Sequence, residues 1–258
     1  MCLSTKHDAN KSEYEAFRCT IKDMELTQGK LFVVATPLGN MKDITLRAIE
    51  TLQAVDFVLA EDSREANKLL TALKIKKEVV VYHQHTSDTT RLHIFERLKR
   101  GEDAALITDA GTPGISDPGN ELIHFLTTFD AKQEVTPIPG ASAVTALLSV
   151  CGFPSQQFTF LGFLPKKKQS KLFKNLQDLE FPFVFFESPH RIIKSLEMLK
   201  EYFSENTHVC LGRELTKIHE TIIRGNLDYV LLELKKNLPV KGEIVVVVNP
   251  EPHSNIPS

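Results

Sequence analysis

The segment Thr108-Asp-Ala-Gly-Thr-Pro-Gly-Ile-Ser-Asp-Pro-Gly119 sets three glycines and two prolines directly after an apolar run. Glycine lets a ligand approach the backbone closely and proline fixes a loop's shape. Such a loop presents fixed N–H and C=O groups rather than long charged side chains. That suits the adenine, ribose and methionine ends of a neutral-to-cationic cofactor, against the competing reading of an elaborate turn. Pro139-Gly-Ala-Ser-Ala143 also follows an apolar run and opens a helical pattern, where helix N–H groups favour a carboxylate. Taken alone, it reads as a plain helix start. Charged residues gather in Ala60-Glu-Asp-Ser-Arg64, Glu187-Ser-Pro-His-Arg191 and Arg213-Glu-Leu-Thr-Lys217. Each is open to a bland reading as a cap or surface pair. Lys166, Lys167, Lys168, Lys171 and Lys174 lie in a stretch without an acid before Asp178. The i, i+4, i+7 spacing of Lys167, Lys171 and Lys174 predicts one basic helical face that contacts phosphate.

These groups sit at the ends of short apolar runs. Leu31–Ala35, Phe57–Ala60, Val79–Tyr82, Ala104–Thr108 and Val135–Ile138 are too short for helices and read as buried strands. Helical patterns separate them at residues 46–52, Arg64–Leu73, Thr89–Arg100 and Asn120–Thr128. Alternating strand and helix predicts a parallel sheet covered on both faces, with ligands beyond the strands' carboxyl ends. A helix over Ala141–Val150 leads to Gly152-Phe153-Pro154, read as a domain junction. The second half is expected to repeat the same logic. Its strands are Phe158–Leu161, Phe183–Phe186, Val209–Leu211, Thr221–Ile223 and Glu243–Val248; its helices are Lys167–Leu176, His190–Phe203 and Leu227–Lys236. The expected organisation is an N-terminal tail (1–28, with Met24 as an alternative start), α/β domains over 29–150 and 151–250, and a short tail over 251–258.

Composition narrows the classes. With 42% apolar and 25% charged residues the chain is globular, and a net charge of −2 provides no overall cationic field for nucleic acid. RNA contact must therefore be local. Four cysteines without a C-x-x-C pair fit a reducing cytoplasm and no metal site, and no apolar stretch reaches the roughly 20 residues of a membrane helix. The P-loop, G-x-G-x-x-G, H-E-x-x-H and G-x-S-x-G patterns are absent. Asp109 as a phosphotransferase nucleophile is a further alternative, one that would need magnesium.

Together, Val34–Asn40, Ala60–Arg64, Thr108–Gly119, Pro139–Ala143, Phe160–Pro165, Glu187–Arg191, Arg213–Lys217 and Lys241–Glu243 resemble the tetrapyrrole methylase superfamily. Within it they are most similar to the ribosomal small subunit methyltransferase I family. The resemblance implies two α/β domains with S-adenosylmethionine in the cleft between them, and usually a homodimer. It also implies 2′-O-methylation of a cytidine in 16S ribosomal RNA of the small subunit. Cofactor contacts carried over fall on Pro37, Ala110, Gly111, Thr112, Ile115, Ser142 and Ala143, with Glu187 and Leu215. Gly111-Thr112-Pro113 stands where porphyrinoid enzymes have Gly-Asp-Pro, which points away from tetrapyrroles. A ribose hydroxyl is a poor nucleophile, so a base or a positive charge beside it would help. Arg213, Glu214 and Lys217 are the expected catalytic group, with Asp62, Arg64, His190 and Arg191 positioning the RNA. A small-molecule methyltransferase and a non-catalytic ribosome-assembly factor are the alternatives. The family's helical extension after the last strand has no counterpart before Ser258.

Overall fold

The computed structural model describes residues 28–236 and 238–250, so the expected tails lie outside it except for Gln28. Five short strands form the first sheet: β1 (Leu31–Val34), β2 (Phe57–Ala60), β3 (Glu78–Val81), β4 (Ala104–Leu106) and β5 (Val135–Ile138). Their order is β3-β2-β4-β1-β5 and every pair is parallel. Pro137, which cannot donate to a ladder, is tolerated because β5 is an edge. Alternation places Val58 and Ala60 against α1 (Leu46–Ala54) and α2 (Ser63–Ala72). Phe57 and Leu59 face α3 (Asp88–Lys99) and α4 (Asn120–Phe129). Helix starts are capped locally: the side chains of Thr45, Asp62 and Ser87 accept from the backbone N–H of Ala48, Arg64 and Thr90.

The second sheet departs from the expected parallel repeat. It contains β6 (Thr159–Phe163), β7 (Phe183–Glu187), β8 (His208–Arg213), β9 (Thr221–Asn226) and β10 (Ile244–Asn249), in the order β6-β7-β10-β8-β9. Only β6 and β7 run parallel; the other three pairs are antiparallel. The reason lies in the connections. A parallel return needs about a dozen residues or more, and the turn 214–220 between β8 and β9 is too short for one. One face of this sheet packs on α6 (Gln169–Leu176), α7 (Ile192–Leu199) and α8 (Leu227–Lys236) through Phe183, Phe185, Leu211 and Val246.

The basic helical face also needs correction. Lys168 stands at φ 67 as the N-cap of α6, so Lys166 and Lys167 lie in the preceding turn and only Lys171 and Lys174 are helical. A left-handed residue at that point ends helical geometry to its N-terminal side.

Helix α5 (Ala143–Cys151) joins the two sheets. It leaves the first sheet after β5 and lays Val144, Leu147 and Leu148 on the second sheet's other face, against Val184, Cys210, Val245 and Val247. Leu38 from the loop after β1 and Leu215 from the turn after β8 join the same cluster. From β9, the Arg224 Nε–H donates to the Val150 carbonyl at 2.9 Å. Gly152, at φ 82, ends the helix in the left-handed conformation that glycine adopts without strain.

Candidate active site

In the first sheet β1 lies beside β4, and their outgoing connections run in opposite directions on opposite faces of the sheet, one to β2 and the other to β5. Such a switch point leaves a crevice beyond the strand ends. The two loops are tied across it by an antiparallel bridge. Thr36 N–H donates to Gly111 O at 2.8 Å, Gly111 N–H returns to Thr36 O at 3.1 Å, and Thr36 Oγ1 donates to Thr108 O at 3.0 Å. Gly111 has φ +87, and a Cβ there would stand 3.2 Å from Leu38 Cδ2. The Thr112 hydroxyl donates to Ala141 O at 3.0 Å, fastening the loop after β5 to the same frame.

Between this frame and the second sheet lies a cavity of about 360 Å³. Thr108, Asp109, Ala110, Asp117 and Ala143 line it from the first half; Phe163, Phe186, Glu187, Leu215 and Glu243 line it from the second. Phe163 and Phe186 meet edge to face with centroids 5.4 Å apart, giving the cleft an aromatic side. Four of the nine expected cofactor contacts therefore share one cavity: Ala110, Ala143, Glu187 and Leu215. Gly111 and Thr112 act on it through the frame. Pro37 lines a neighbouring cavity of about 310 Å³, Ile115 is 47% exposed, and Ser142 is the N-cap of α5 without a side-chain cap bond.

Glu187 is a buried carboxylate with its partners in place. Its Oε1 accepts from Ser188 N–H at 2.6 Å and pairs with Arg191 Nη2 at 2.5 Å; its Oε2 accepts from Ser195 Oγ at 2.8 Å. Arg191 Nη2 also donates to Leu164 O at 3.0 Å. A charge this deep persists only when paired and hydrogen-bonded, so Arg191 supports the cleft wall. His190 beside it is exposed.

The turn 214–220 is strained: Glu214 and Thr216 have φ of 52° and 67° without being glycine. Arg213 holds the turn's ends. Its guanidinium donates to Lys241 O at 3.3 Å, His219 O at 3.2 Å and Thr221 Oγ1 at 2.9 Å. Lys217 Nζ pairs with Glu214 Oε1 at 3.0 Å and Glu243 Oε2 at 3.1 Å, and Glu243 N–H donates to Glu214 Oε1 at 2.9 Å. Burial opposes both charges, but the Glu243 amide and the Lys217 ammonium hold the Glu214 carboxyl below its usual value. Likewise Glu214 and Glu243 outweigh burial and raise Lys217. Glu214 is thus a carboxylate already occupied by donors, and Lys217 a fixed cation. The stem of Lys217 crosses to the first half, where a Cβ on Gly39 would stand 2.3 Å from its Cγ.

Asp62 and Arg64 form a pair at the start of α2. Asp62 caps α2 and pairs with Arg64 at 2.7 Å, and the side-chain hydrogen bond from Arg64 brings its carboxyl down to about 2. Lys166, Lys167, Lys168, Lys171 and Lys174 are all exposed, and none forms an ion pair among the described residues.

Sequence reasoning did not single out Asp117. It faces the cleft nine positions after Thr108, and burial, then Glu61, Asp109 and Glu243, push its carboxyl up to about 6 against a hydrogen bond from the Thr108 hydroxyl. The signal was the Asp-Pro-Gly closing the loop, which reads equally well as a turn.

Residues 30–230 match the family described as Tetrapyrrole (Corrin/Porphyrin) Methylases. Solved structures with the same architecture include a cobalt precorrin-4 methyltransferase of cobalamin biosynthesis (TM-score 0.63, 20% identity, 84% of this chain and 94% of the other). A diphthine synthase is similar (TM-score 0.65, 17% identity, 85% and 90%). At these identities they show the fold alone. Sequence relatives are nearer. Proteins named ribosomal RNA small subunit methyltransferase I are 42% identical in Hydrogenobaculum sp. (strain Y04AAS1), over 86% of this chain and 96% of the relative. In Thermotoga maritima the identity is 40%, over 86% and 98%; in Leptospira biflexa it is 43%, over 86% and 91%. The chain belongs to the tetrapyrrole methylases and, among them, to the ribosomal RNA small subunit methyltransferase I family.

Proposed function

We propose that this protein transfers a methyl group from S-adenosylmethionine to the 2′-hydroxyl of a cytidine in 16S ribosomal RNA of the small subunit. The observation that carries the reading is identity of about 40% with relatives of that name, over most of both chains. The cleft fits the methyl donor. Aromatic Phe163 and Phe186 offer faces for a purine, and Asp109, Asp117 and Glu243 offer negative charge to a sulfonium. Ala110, Ala143 and Leu215 leave room for it, and the bridged loops supply backbone donors and acceptors. When bound, the donor provides an activated methyl whose leaving group departs neutral.

The chain's own task is to hold the ribose oxygen in line with that methyl, which supplies much of the rate. Arg213, Glu214 and Lys217 serve by fixing the turn that carries Leu215 and the carboxylate of Glu243. The unpaired lysines from Lys166 to Lys174, with exposed His190 and Arg64, guide the RNA backbone, while Asp62 and Arg191 act indirectly by holding Arg64 and Glu187. The reading includes action in the cytoplasm and association of two copies. Among the described residues no helix is long and apolar enough to cross a membrane.

The test is label transfer from S-adenosylmethionine to small ribosomal subunits and free 16S RNA lacking native modifications. Label in a 2′-O-methylated cytidine is the expected result. Cofactor binding without label in either substrate overturns the reading, as does label in a small molecule alone.

A further inference from the structure

A second cavity, of about 430 Å³, opens beside the cofactor cleft at the same strand ends. Its lining is polar: Tyr82, Gln84, Asn120 and Glu121, with Glu61 and Asp117 shared with the cleft. In-line transfer requires acceptor and donor to meet across a common boundary, and only these two side chains line both cavities. They differ in surroundings. Glu61 is exposed on the rim, whereas Asp117 is half-buried and held by the Thr108 hydroxyl. A base in contact with water gains little from its position; one on a shielded partition meets the nucleophile directly.

We propose that Asp117 is the general base of the reaction and that the polar cavity receives the target nucleoside, extruded from its RNA strand. This rests on the function proposed above. Extrusion presents the base edge to the pocket walls, where Gln84 and the Glu121 carboxylate, its Oε2 held by Arg91 at 2.6 Å, can accept from an exocyclic amine such as that of cytosine. The step balances. The ribose 2′-O–H bond breaks and its proton passes to the Asp117 carboxylate. The oxygen's electron pair forms the new O–C bond, and the C–S bond breaks with its pair retained by sulfur. Donor cation and carboxylate become neutral thioether and carboxylic acid.

Protonation of Asp117 near pH 6 follows from its setting. Burial acts first, then Glu61 from the end of β2, Asp109 from the end of β4 and Glu243 from the turn before β10. The Thr108 hydroxyl opposes them, and the flanking cations are already paired, Lys217 with Glu214 and Glu243 and Arg91 with Asp88 and Glu121. A base in this range is matched to work near neutrality.

The experiment is single-turnover methylation of small subunits by wild type and Asp117→Asn across pH 5 to 9, alongside calorimetric binding of S-adenosylhomocysteine. The wild-type rate is expected to fall about tenfold per unit below pH ~6, and the variant to lose about 10²–10⁴ in rate together with that limb. Product affinity should stay within about threefold, which separates lost chemistry from lost fold. Wild type without a limb near pH 6 overturns the assignment whatever the variant does. So does an Asp117→Asn rate and pH profile matching wild type. Cofactor-bound wild type that labels no ribosomal RNA overturns the underlying function as well.

Discussion

The two sheets solve different problems. The first is parallel throughout, so all its strands end on one side, and the loops beyond β1, β2 and β4 converge there. The second is mostly antiparallel; its strand ends point both ways, and it meets the cleft with one short turn, the ends of β6 and β7 and the start of β10. Direction of pairing thus decides where chemistry can gather. The parallel half concentrates backbone donors and carboxylates, while the second half gives a stable wall and a clasp.

The sharpest way to break this comparison is to treat the halves alike. Phe185→Ala empties a fully buried site in the second sheet and should cost about 3–5 kcal/mol in urea unfolding, with cofactor affinity of the folded fraction retained. An equal loss of affinity would erase the distinction. The clasp comes next. Gly39→Ala collides with the Lys217 stem and should cost about 1–3 kcal/mol, largely recovered in Gly39→Ala/Lys217→Ala. Additive unfolding energies would show that the clasp is not a contact. Gly111→Ala forces a side chain into φ +87; about 1–2 kcal/mol of strain should weaken S-adenosylmethionine binding roughly 5- to 30-fold by calorimetry.

A smaller effect has the opposite sign. The folded-state pKa of Asp117 is raised to about 6 from an ordinary 3.8, so its ionised form weighs against the fold. The cost is absent below the unfolded value, grows between the two and is complete above the folded one. Asp117→Asn should therefore raise Tm at pH 8 and leave it unchanged at pH 3.5. Its partial exposure limits the gain to on the order of 1 kcal/mol, or about 2–4 °C. Last, replacing Lys166, Lys167 and Lys168 with alanine should leave stability unchanged. It should flatten the salt dependence of RNA binding by about two units of log–log slope; an unchanged slope removes these lysines from the interface.

The parallel half was the more legible in sequence, for a physical reason. Its central strands β2 and β4 are short apolar runs buried on both faces, and each strand of the sheet is followed by a helix, so local pattern and global position agree. In the second half the strands were visible but their directions were not. Antiparallel pairing of β8 with β9 depends on a turn of seven residues, 214–220, read as ligand-facing charge rather than as a tight reversal. The same holds at the site. Ala110, Ala143 and Leu215 line the cleft, while Arg213 and Arg191 are taken up by backbone carbonyls and a buried carboxylate. Charge at a strand end says that something is held there, not whether it is a ligand or the chain itself.

Helix α5 also fixes how this chain can be divided. Its residues follow the first sheet in sequence, yet its apolar side completes the second. A protein cut in the connection after β5, ahead of Ser142, would leave the second fragment with its own lid. One cut after Gly152 would expose Val184, Cys210, Val245 and Val247 to water. The modular boundary of the molecule lies one helix earlier than its sequence punctuation suggests, and gene fusions or split reporters built on this scaffold should respect the helix rather than the glycine.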